Sequence, residues 1–83
     1  MKVLLAIEGG FSKTLFEGEK GAVEWFLKGF QYARKTNLES PEVIGLITNM
    51  EVIGLIVGDK THQYTQGVLS AMENKVGKLE VLE

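Results

Sequence analysis

The chain has 83 residues and a mass of 9.2 kDa, enough for one small domain over residues 1–83 with a modest core. It has no cysteine and one histidine, which excludes disulfides, iron–sulfur clusters, thiol catalysis and multi-histidine metal centres, so no metal and no cofactor are expected. A net charge of −2 argues against a sequence-independent nucleic-acid binder, which needs a basic surplus to meet phosphate.

Lys2–Glu8 is apolar on both faces and reads as a central strand. Gly9-Gly10 follows and suits a two-residue hairpin, because both positions tolerate positive φ. Phe11–Glu17 returns as the second strand. That turn predicts Val3 opposite Phe16, Leu5 opposite Thr14 and Ile7 opposite Ser12. The second strand is poorer in apolar residues, which makes it the edge, with Lys13 guarding it.

Gly18–Asn37 reads as a helix, with acids early and Lys28, Arg34 and Lys35 late, an order that complements the helix dipole. Val23, Phe26, Leu27 and Phe30 form its apolar stripe. On a helical wheel Trp25 and Tyr32 fall nearly opposite Val23 and Phe30, with Ala22 and Gly29 between. The apolar arc is wider than the roughly 100° that packing one face on a sheet requires. Either the second helix of the same chain covers the surplus, or a partner does. Aromatic side chains with a small residue between them suit a protein interface, so Trp25, Gly29 and Tyr32 are the interface candidates.

Glu42-Val43-Ile44-Gly45-Leu46-Ile47 recurs as Glu51-Val52-Ile53-Gly54-Leu55-Ile56. Two copies are too few for a solenoid, and the β-branched runs predict a second hairpin turning at Asn49-Met50, with Gly45 opposite Gly54. Its strands are apolar on both faces, so both faces need covering. Gly58 breaks the pattern. Asp59 or Thr61 then caps a second helix running to about Val76, with Tyr64, Val68, Ala71, Met72 and Val76 on one side. Gly77 ends it, and Lys78–Leu82 closes the chain as a last strand.

The order β-β-α-β-β-α-β, two hairpins, two helices and a closing strand, resembles the β-grasp topology of ubiquitin-like domains. The resemblance implies an α+β fold with a mixed sheet. The chain ends without a diglycine, so it implies no conjugation chemistry. Gly54-Leu55-Ile56 and Asp59 also resemble the motif of LAGLIDADG homing endonucleases. Val57 and Lys60 depart from that motif, and the chain is too short for the fold.

Few residues point to chemistry. Gly9-Gly10-Phe11-Ser12-Lys13-Thr14 looks like a phosphate loop, but Ser12 stands where the glycine before the lysine is required, and a strand follows rather than a helix. Gly58-Asp59-Lys60-Thr61 has the better context, a strand leading into a helix start whose free N–H groups can hold an anion. Gly58, Lys60 and Thr61 are the candidate anion site, with Lys60 as the charge; the competing reading is a plain helix cap. His62, three residues after Asp59 at the same helix start, lacks a nucleophile, and no catalytic set emerges. Val3–Ile7 is too short for a signal peptide, and Val43–Val57, interrupted by Glu51, is shorter than the roughly 20 residues a membrane span needs. The expectation is a small cytoplasmic, non-enzymatic protein-interaction module that works as a homodimer, or else binds another protein. Binding of a small anion or nucleotide is the alternative, and neither nucleic acid nor membrane is expected as a partner.

Overall fold

A computed structural model of the chain describes residues 1–7, 9–36, 45, 49–50 and 58–83. The elements whose bounds lie among these residues are, in order, β1 (Lys2–Ile7), β2 (Phe11–Glu17), α1 (Lys20–Thr36), α2 (Asp59–Glu73) and β3 (Lys78–Leu82). The α+β class holds. The described strands form one antiparallel sheet in the order β2-β1-β3, so β1 is central and β2 is an edge, as its composition predicted.

Among the described residues three strands stand where five in a mixed β-grasp order were expected. The predicted second hairpin falls largely outside the described residues. Gly45, Asn49 and Met50, its described positions, are helical, and Met50 packs against the core. A short apolar run reads equally as a buried strand or a buried helix, because periodicity alone does not separate them.

The first hairpin forms where Gly9 and Gly10 allow it, at φ 89° and 81°, but its register departs from the simple turn. Val3 faces Phe16 as expected. Beyond it, Leu5 faces Lys13 and Ile7 faces Phe11, because the ladder shifts by one residue between Val3 and Leu4 and leaves Leu15 as a bulge. The bulge has a packing reason. Strict alternation would send one of two consecutive residues to the outer face, whereas here both Leu15 and Phe16 pack against the core. The start of the sheet is closed by the chain terminus: the Met1 amino group donates to the Gly18 carbonyl at 2.9 Å, and the Gly18 N–H donates to the Met1 carbonyl at 3.0 Å.

Both helices lie against one face of the sheet. The core joins Val3 of β1 to Val23, Phe26, Phe30 and Ala33 of α1 and to Tyr64, Val68 and Ala71 of α2. Phe16 stacks on Phe26, ring centroids 4.7 Å apart. The predicted stripe of α1 is buried at Val23, Phe26 and Phe30, with Leu27 half-buried. The second helix ends three residues earlier than expected, at Glu73. There Asn74 takes the C-cap, its backbone N–H and its side-chain Nδ2 both donating to the Ser70 carbonyl, at 2.9 and 2.8 Å. Val76 therefore lies beyond the helix and is 83 % exposed rather than part of its apolar side.

Candidate functional site

The three interface candidates on α1 have different surroundings. Gly29 is buried where the helices cross. A Cβ there would collide with the Tyr64 carbonyl oxygen, and a Cβ on Gly67 would collide with the Phe26 carbonyl oxygen and lie 2.9 Å from the Phe30 nitrogen. The two glycines thus let each backbone rest on the other, and the middle of the wide apolar arc is covered by α2 of the same chain. Trp25 is half-buried and meets the Tyr64 ring edge-on at 6.4 Å. Tyr32 remains 37 % exposed. Burial, and then the nearby Tyr32, raise the Tyr64 pKa above the ordinary tyrosine value of 10.0. Gly67 was not singled out from the sequence. The available signal was a second glycine in the interior of a helix, a costly choice unless another backbone approaches closely.

The candidate anion site sits at the start of α2. Gly58, at φ 59°, takes the N-cap position itself, so neither Asp59 nor Thr61 is the cap. The Thr61 and His62 N–H groups donate to the Gly58 carbonyl at 3.1 and 3.4 Å. The Thr61 Oγ1 is buried and has no hydrogen-bond partner among the described residues. Lys60 reaches over α1, its Nζ 5.6 Å from the Trp25 ring centroid, and Lys28 approaches the same ring at 4.2 Å. The structure thereby joins two sets that the sequence kept apart: Trp25 of the interface set and Lys60 of the anion set share one cation–π cluster. His62 and Asp59 are exposed, and no group of three or more His, Asp or Glu among the described residues could hold a metal ion.

The remaining surface of note is the sheet margin. Among the described residues β2 and β3 each have one neighbour, and the two edges are built differently. The β2 edge carries the Leu15 bulge and the exposed Lys13, both of which discourage further pairing. β3 pairs with β1 over five consecutive residues without a shift. Its Val81 and Leu82 are exposed, and Val76 just before it is the most exposed large apolar side chain described. Beside it an open cavity of about 610 Å³ is lined by Leu5, Ile7, Val76 and Gly77 among others. At the far end of the hairpin Ile7 and Phe11, paired across the strands, are 47 % and 72 % exposed.

Comparisons with family models, curated proteins and solved structures find no match to this chain. No helix among the described residues is long and apolar enough to cross a membrane.

Proposed function

We propose that the chain is a small, non-enzymatic protein-interaction module that works as a homodimer. The observation that carries this reading is the sheet margin at β3: a regular strand with one neighbour among the described residues, with Val81 and Leu82 exposed on it and Val76 exposed just before it. Unpaired N–H and C=O groups along an edge are a template for another strand, and exposed apolar side chains beside it add area that gains about 25 cal/mol per Å² when buried. A short strand and its flanks provide less than the roughly 800 Å² per partner of a standard interface, so the dimer forms in the micromolar range. Size-exclusion chromatography with light scattering across that range tests this directly. A mass of twice 9.2 kDa is the expected result, and a single-chain mass at every concentration refutes it.

A second reading, an anion- or nucleotide-binding protein using Gly58, Lys60 and Thr61, is favoured by the two lysines converging on Trp25 and by the unpartnered Thr61 hydroxyl. Thermal-shift titration with phosphate, sulfate and nucleotides tests it. A stabilisation lost in Lys60→Ala supports it, and no shift with any anion removes it.

A further inference from the structure

β3 is short enough for its possible self-pairings to be enumerated. Lys78, Glu80 and Leu82 alternate with Leu79 and Val81. Leu79 and Val81 stand opposite Leu5 and Val3; Val3 belongs to the core shared with the helices and Leu79 packs against that core, so they lie on the helix side of the sheet. Lys78 and Glu80 are exposed on the other side. A two-fold axis that adds a second copy of β3 antiparallel to this edge must stand perpendicular to the sheet, which sets one residue opposite its own copy. If that residue is Lys78 or Glu80, two like charges face each other, which is destabilising. If it is Val81 or Leu82, Lys78 falls outside the β3 of the second copy. If it is Leu79, Lys78 stands opposite Glu80 of the second copy, and the symmetry repeats the pair. That register alone matches the charges, and it carries Leu82 alongside the exposed Val76 of the other chain.

We infer that two copies of this chain join edge to edge through β3, antiparallel and centred on Leu79, to make one continuous sheet with both helix layers on the same side. The inference rests on the homodimer reading and gives it an element, a register and a charge pattern. The β2 edge takes no part, because its bulge breaks the regular ladder that a partner would need.

Charge exchange at two exposed positions tests the register. Lys78→Glu places carboxylates opposite one another twice, and Glu80→Lys places ammonium groups opposite one another twice. Each variant alone is expected to raise the dimer Kd about tenfold or more. An equimolar mixture of the two matches every pair again and restores dimer mass, as does the double variant Lys78→Glu/Glu80→Lys. Sedimentation velocity on the wild type, both single variants, the mixture and the double variant reads all five. A wild-type dimer that both single variants preserve, or a mixture that stays monomeric, overturns the β3 register while leaving a homodimer standing. A wild type that is monomeric throughout fails at the earlier step and removes the homodimer reading itself.

Discussion

Where the two helices cross, side chains have been removed from both partners: Gly29 rests on the Tyr64 backbone and Gly67 on the Phe26 backbone. Where the sheet ends, β2 and β3 each stop with one neighbour among the described residues. Among the described residues the helix layer closes on itself, and the sheet layer does not. Both regions are rich in apolar residues, yet only one uses them internally. A wide apolar arc on a helix is therefore weak evidence for a partner when a second helix follows in the same chain, whereas a regular edge strand with exposed apolar flanks is stronger evidence, because nothing described lies against it.

The closed region is the easier to break. Gly67→Ala puts a methyl group against the Phe26 carbonyl and the Phe30 nitrogen. Backbone cannot move aside as a flexible side chain can, so the helices must separate. The expected loss is about 3 kcal/mol or more of unfolding free energy, read as a drop in the urea midpoint, although alanine is the better helix former. An unchanged midpoint would mean that the helices do not meet backbone to backbone.

Next in size is the tie between the two regions. Arg34 on α1 donates to the Gly77 carbonyl from Nη1 and to the Asn74 carbonyl from Nη2, each at 2.8 Å, and its guanidinium lies 4.5 Å from the Phe30 ring centroid. This holds the turn between α2 and β3 and so sets where the open edge begins. Arg34→Ala is expected to cost about 2 kcal/mol. Arg34→Lys should recover the smaller part, because a single ammonium cannot span both carbonyls as the fork does. Equal stability of the two variants would show that charge, not geometry, matters.

The smallest effect is a pH dependence of the closed region. Tyr64 has a raised pKa in the folded chain, from burial first and from Tyr32 second. Its contribution to stability is therefore full below the ordinary value of 10.0 and is lost as pH rises through the folded value. Urea midpoints should decline above about pH 10, and less steeply in Tyr64→Phe. Parallel declines in the two proteins would assign the alkaline loss to other groups.

Much of this architecture was legible in the sequence, for identifiable reasons. β1, α1 and β3 have patterns of a single period, and glycines bound them. Register was harder, since Gly9-Gly10 permits either a two-residue turn or a longer loop. The consecutive apolar pair Leu15-Phe16 was the cue that a bulge would be needed to bury both. The repeated Glu-Val-Ile-Gly-Leu-Ile run lies outside the described residues except at Gly45, and the hairpin expected from it fails at its described positions, because Gly45, Asn49 and Met50 are helical. Trp25 and Lys60 were picked out separately, and no spacing rule could bring them together, because their meeting depends on how α1 and α2 cross.

Amide hydrogen exchange measured against protein concentration bears most directly on the difference between the layers and on the assembly built from it. β2 and β3 are edges of one sheet in one chain, so each is the control for the other. Exchange at Lys78–Leu82 should slow as concentration rises through the micromolar range, while exchange at Phe11–Glu17 stays constant. Exchange at β3 that is independent of concentration, or slowing of equal size at β2, would contradict the account.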